Sequence, residues 1–220
     1  MDKRKIYEVI KKQSGSILSF PDRGGFGSSS YRGNCSGYIQ AYLAIKYHVT
    51  KMAELFSGSG TGYDVCNALG IEYTGADLNL VPARPGILSI NAVTDDVPDS
   101  FRNADMVFMH PPYGSEIGIP YAGSMYPDPD GTLSKSDLGQ MPWKQFIQTL
   151  NEIIMKYYAA MDLGYMAILM GDVRRNHVYH SMLTDIVKPG QLDCQTAHCG
   201  RCEQHFIVGA FTSPTVRFGR

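Results

Sequence analysis

The chain has 220 residues, 44% of them hydrophobic and 19% charged, with a formal net charge of -1. That composition excludes a disordered protein. The near-neutral charge excludes a strongly basic nucleic-acid coat, though not a local basic cleft. In chain order, residues 1–13 place Ile6, Val9 and Ile10 on one face of a short amphipathic helix, which opens an N-terminal segment (1–36) whose second half is rich in Gly and Ser. Runs of strand length follow at 52–56, 71–76, 86–90, 104–109, 164–170 and 205–211.

Between the first two strands lies a helix-sized piece ending at Gly70. Between the fourth and fifth, Phe146, Ile147, Leu150, Ile153, Ile154, Tyr157 and Tyr158 recur at helical spacing, with Trp143 anchoring the start and Gly164 as a stop. A further helix is predicted over 178–187, closed by Pro189 and Gly190. Strands alternating with helices imply an α/β fold, a mostly parallel sheet with helices on both faces. The run 205–211, with QLDCQTAHC as its hairpin partner, is expected to add a C-terminal antiparallel hairpin. One domain over 1–220 is expected, since its core would use nearly the whole length.

No apolar run reaches the roughly 18 residues of a membrane span, so no membrane partner is expected. The five cysteines, odd in number and without a secretory signal, suggest reduced thiols and a cytoplasmic setting. Cys194, Cys199, Cys202 and His205 have the spacing of zinc ligands. Alternation along a closing strand sends several of them to opposite faces, which argues against zinc, and no metal is expected. Residues 114–142 form a Pro- and Gly-rich stretch long enough to be a functional loop.

Two motifs carry chemistry. Glu54-Leu55-Phe56-Ser57-Gly58-Ser59-Gly60-Thr61-Gly62 joins a strand to a helix, where glycines let a ligand approach the backbone and the helix N-terminus offers free N–H groups. Asp77 ends the next strand, about 20 residues on, and can accept both hydroxyls of a ribose. Together they specify a nucleoside-containing cofactor. A P-loop is excluded because no Gly-Lys-Ser/Thr follows, and only half of the dinucleotide pattern G-x-G-x-x-G is present. The second motif, His110-Pro111-Pro112-Tyr113, ends a strand expected at the sheet centre. A rigid carbonyl, an acceptor before it and an aromatic ring after it can grip a flat base bearing an amino group.

ELFSGSGTG, GADLN and HPPY, in this order, resemble motifs I, II and IV of the S-adenosylmethionine-dependent DNA amino-methyltransferases, and YRGNCSGYIQAYLAIKY resembles their motif X. The resemblance implies a Rossmann-like class I methyltransferase fold and transfer of a methyl group to the 6-amino group of adenine in DNA. It implies a cofactor site of Gly33, Asn34, Ser36, Glu54, Phe56, Gly58, Gly60, Thr61, Asp77 and Leu78. His110, Pro111, Pro112 and Tyr113 would form the catalytic tetrapeptide, with Tyr113 stacking on a flipped base. The family usually carries Asp, Asn or Ser where this chain has His110, which can accept a hydrogen bond only when neutral; activity is therefore expected to fall below roughly pH 6.5.

Arg174, Arg175 and Lys135, with Arg23 and Arg32, could meet DNA phosphates, and Asp172 could shape the base pocket. The resemblance also implies a bacterial or phage source and a restriction-modification type of role. The alternatives are cytosine 4-amino methylation, an RNA or protein-glutamine methyltransferase, and a non-catalytic subunit of the same fold. No separate recognition domain is expected, so DNA reading would fall to the 114–142 loop, a recognition subunit or a second copy.

Overall fold

Side-chain alternation along the strands sorts the interior into two layers, and this is what places the helices. The computed structural model describes residues 2–13, 18–20, 22–116, 119–175, 177–186 and 204–210. Strands β1 (Lys51–Leu55), β2 (Glu72–Asp77), β3 (Ile87–Ser89), β4 (Met106–Met109) and β5 (Gly164–Met170) are joined at one side by Gln204–Ala210. Among the described residues these six strands form one sheet in the order β3-β2-β1-β4-β5-Gln204–Ala210. Every pairing in it is parallel.

Ala53 and Leu55 of β1, Val107 and Met109 of β4, and Met166, Ile168 and Met170 of β5 face one layer. There they meet Phe101 of α4 (Asp99–Arg102) and Phe146, Leu150, Ile153, Ile154 and Tyr157 of α5 (Trp143–Ala160). Met52, Met106, Phe108, Ala167 and Leu169 face the other layer, against α1 (Lys3–Ile10), α2 (Gly37–Lys46) and α3 (Thr61–Leu69). Strand β4 is buried along its whole length, as a central parallel strand covered on both faces must be. No helix of the described residues is long and apolar enough to cross a membrane.

The α/β architecture and the helix at 143–160 match the sequence expectation. The end of the chain differs. A two-stranded antiparallel ribbon pairs β6 (Val173–Arg175) with β7 (Val178–His180), the latter where the start of a helix was expected. The helix shortens to α6 (Met182–Ile186). A bond from the Tyr179 hydroxyl to Asp172 helps hold the ribbon.

The C-terminal antiparallel hairpin is not shown among the described residues. Strand β8 (Gln204–Ala210) runs parallel to β5, with Gly164 beside Gln204 and Met170 beside Ala210. The physical reason is the connection: more than thirty residues separate the two strands, ample for the crossover a parallel pair requires, whereas a tight turn would have forced the antiparallel sense. The proposed hairpin partner, around residues 191–199, lies outside the described residues.

Candidate functional site

The strand order reverses between β1 and β4, and in open α/β sheets ligands bind outside the strand carboxyl ends at such a switch point. Both sequence motifs end there. Phe56, directly after β1, adopts a left-handed φ of 65°, uncommon for a bulky non-glycine residue. Gly58 and Gly60 follow at φ 50° and 82°, and Gly60 is the N-cap of α3. Asp77, the last residue of β2, ties this turn down: its Oδ2 accepts the Gly58 N–H at 2.7 Å and its Oδ1 the Asn79 N–H at 3.0 Å. Burial pushes the Asp77 carboxyl above its usual range.

Gly33, Asn34, Glu54, Phe56, Gly58, Thr61, Asp77, Leu78, His110 and Pro112 line one cavity. The sequence reading thus brings ten of its fourteen core site residues together. Four stand elsewhere. Ser36 is the N-cap residue of α2, and its hydroxyl lies 3.3 Å from the Arg23 carbonyl to which it donates. Gly60 is covered from outside the cavity by Arg84, whose Cγ would lie 2.3 Å from a Cβ there. Pro111 is buried behind the wall. Tyr113 packs against the α5-side core, and its Oη accepts the Gly171 N–H at 2.9 Å.

Glu54 reaches the cavity wall but is 3% exposed. Its carboxylate accepts Gln40 Nε2 at 2.5 Å and Tyr73 Oη at 2.5 Å. Burial outweighs these bonds and pushes its carboxyl up to about 7. His110 moves the opposite way, since burial without a charged partner holds its imidazole down at about 4. At neutral pH it is therefore uncharged and keeps a bare nitrogen as an acceptor. The Tyr113 ring stands edge-on to it, with centroids 6.4 Å apart.

The two irregular segments meet over the cavity. Tyr31 covers the turn, its Cε1 2.9 Å from where a Cβ on Gly58 would sit. Tyr121 closes on Gly33, its Oη 2.3 Å from where a Cβ there would sit. The two rings lie 6.0 Å apart. Only glycine permits these approaches, and both positions also have positive φ.

The 114–142 stretch is closed at its base by Ser115 N–H to the Met141 carbonyl at 2.8 Å. Asp137, 1% exposed, pins it. Its Oδ2 accepts Tyr121 N–H at 2.7 Å and Ala122 N–H at 2.9 Å, and its Oδ1 accepts Gly139 N–H at 2.9 Å. Tyr31, which opens the stretch resembling motif X but has no role assigned there, and Tyr121, Tyr126, Asn91, Ser136 and Asp137, which belong to no motif, also line the cavity. Their signal was positional: most lie in or beside the two irregular stretches that flank the motifs.

Lys135 and Arg174 are exposed and outside the cavity, and the side chain of Arg175 lies outside what the structure describes. Among the described residues no group of His, Cys, Asp and Glu is placed to hold a metal. Cys194, Cys199, Cys202 and the His205 side chain lie outside the described residues. No protein-family model matches the chain, and no curated protein matches it.

Proposed function

We propose that the chain is an S-adenosylmethionine-dependent methyltransferase acting on the exocyclic 6-amino group of adenine in DNA. The observation that carries this reading is the convergence of the glycine turn, Asp77 and the His110–Pro112 segment on one cavity at the sheet's switch point.

The residues present fit such a cofactor. Among the described residues no Lys or Arg lines the cavity, whereas Asp77, Glu54 and Asp137 do. Arg84, the cation nearest the turn, is held by Asp64 with Nε–Oδ1 at 2.9 Å and Nη2–Oδ2 at 3.2 Å. A pyrophosphate-bearing dinucleotide would meet carboxylates with no countercharge, and a nucleoside without phosphate would not. Asp77 would hold the ribose hydroxyls, the Phe56–Gly58 turn the adjoining face, and Gly33 with Asn34 the amino-acid end. When bound, S-adenosylmethionine supplies an electrophilic methyl group on a sulfonium.

The chain's own part is to orient the amine. Its lone pair is delocalised into the base ring, so it is a poor nucleophile. The bare nitrogen of neutral His110, which lines the cavity, accepts an amine hydrogen and localises the lone pair, while Pro111 and Pro112 fix the backbone beside it. Tyr113 acts in this reading by fixing the turn that carries His110, through Gly171, rather than by stacking on the base. The sheet order β3-β2-β1-β4-β5 supports a class I methyltransferase type of fold; β8 pairs parallel with β5, and the expected antiparallel hairpin is not shown among the described residues.

Tritiated-methyl transfer tests the reading, with DNA, RNA and protein offered as acceptors. Label recovered as methyladenine in DNA is the expected result. Label in RNA or protein would redirect the substrate, and no label in any acceptor, with cofactor bound, would make the chain a binding subunit.

A further inference from the structure

We propose that the cavity selects its ligand by charge, with Asp137 as a specificity-determining residue that favours the cationic sulfonium cofactor over its neutral thioether product. This deepens the proposed function and rests on it.

Asp137 comes from the loop, far in sequence from the turn that Asp77 braces, yet both carboxylates line the same cavity. Asp137 is buried and bonded to backbone N–H groups rather than to a cation, so its charge is uncompensated by any Lys or Arg of the lining. Its field acts through the cavity: after burial, which is the larger cause, Asp137 helps hold Asp77, Tyr31, Tyr121 and Tyr126 toward their protonated forms. A second observation points the same way. The tyrosine rings of Tyr31, Tyr121 and Tyr126 line this cavity, and aromatic faces attract cations when water is excluded. The other titratable side chains on the wall are His110, which is neutral, Glu54, whose carboxyl burial pushes up to about 7, and Cys35, whose thiol burial pushes up to about 12.

Two buried negative charges and three aromatic rings stabilise a positive ligand. Methyl transfer turns the sulfonium into an uncharged thioether and removes that stabilisation. Product therefore leaves more readily than cofactor, and inhibition by product is weak.

Calorimetry with the full chain tests this, using S-adenosylmethionine and S-adenosylhomocysteine. The expected result is roughly tenfold tighter binding of the sulfonium form, or more, a difference of about 1.4 kcal/mol. Asp137→Asn is expected to cut that ratio by about threefold or more; a merely structural role would weaken both ligands alike and leave the ratio alone. Asn91→Asp provides a charge-gain test that spares the loop pin, because its Oδ1 still accepts the Val93 N–H and Ser136 remains as a partner. That variant is expected to raise the ratio, and it carries the test if Asp137→Asn does not fold. Equal affinities, tighter binding of the thioether, or a ratio unmoved by Asn91→Asp would overturn the inference while leaving the methyltransferase reading intact. Failure of both ligands to bind would overturn that reading and the inference with it.

Discussion

The Asp77 carboxylate holds the Gly58 amide at 2.7 Å, so one side chain both braces the glycine turn and faces the cavity. Asp77→Ala is expected to act twice. Two backbone N–H groups, of Gly58 and Asn79, lose their partner, costing about 1–3 kcal/mol of stability. On the proposed function, cofactor affinity is expected to fall at least about tenfold, since Asp77 is the ribose acceptor of that reading. Calorimetry beside thermal unfolding separates the two effects. A variant that loses stability and keeps full affinity would place the ribose elsewhere.

In the proposed methyl transfer, His110 is expected to set the acid limit. Its imidazole is held down at about 4 by burial, against an ordinary value of 6.5. As pH falls it keeps its acceptor nitrogen until it protonates near 4. The expected profile at saturating substrates is flat with respect to this group from pH 8 to about 5. The break near 6.5 drawn from an unperturbed histidine is therefore revised downward. A profile that halves near 6.5 would mean that His110 is solvated during turnover.

Local pattern made the motifs legible, and long-range packing decided what remained. Helix α5 and the buried strand β4 were readable because their apolar spacing is both a local signal and the reason they pack. Asp77 and His110 were readable because strand ends in a parallel sheet converge whatever the loops do. Tyr113 was misjudged in its contacts because nothing local indicates that Gly171, 58 residues away, presents an N–H to its hydroxyl. The same limit hid Asp137, whose partners lie 2 to 16 residues away on a loop without periodicity. Residues 178–180 carry a helix-compatible pattern, but pairing with β6 claims them. The closing strand's direction depends on the path of the chain after β5, which spacing does not encode.

Tyr113→Phe isolates the hydroxyl. The ring and its packing stay, while the partly buried Gly171 N–H loses its acceptor. A stability loss of about 1–2 kcal/mol is expected. Because the bond anchors the turn that carries His110, methyl transfer should slow while cofactor affinity stays within about twofold. Single-turnover rates beside calorimetry check this. Unchanged transfer with the expected stability loss would reduce Tyr113 to a packing residue.

Glu54 and His110 oppose each other in the pH dependence of stability. The Glu54 carboxyl is raised from 4.5 to about 7, so the folded state binds its proton more tightly than the unfolded chain does. Its contribution is fully present below pH 4.5 and is lost as pH rises through 7. His110 is depressed, so its contribution is present above pH 6.5 and is lost as pH falls toward 4. Between about pH 4.5 and 6.5 each contributes up to one proton with opposite sign, a slope of about 1.4 kcal/mol per pH unit that cancels in the native chain. Glu54→Gln removes one side of the balance. The stability of the native chain minus that of the variant is expected to grow as pH is lowered from 7 to 4.5, whereas the same difference for His110→Asn should shrink. Urea unfolding at half-unit pH steps measures both. Parallel curves for native chain and Glu54→Gln would show that the carboxyl ionises in the folded state as freely as in the unfolded one, and that its bonds to Gln40 and Tyr73 offset its burial in full.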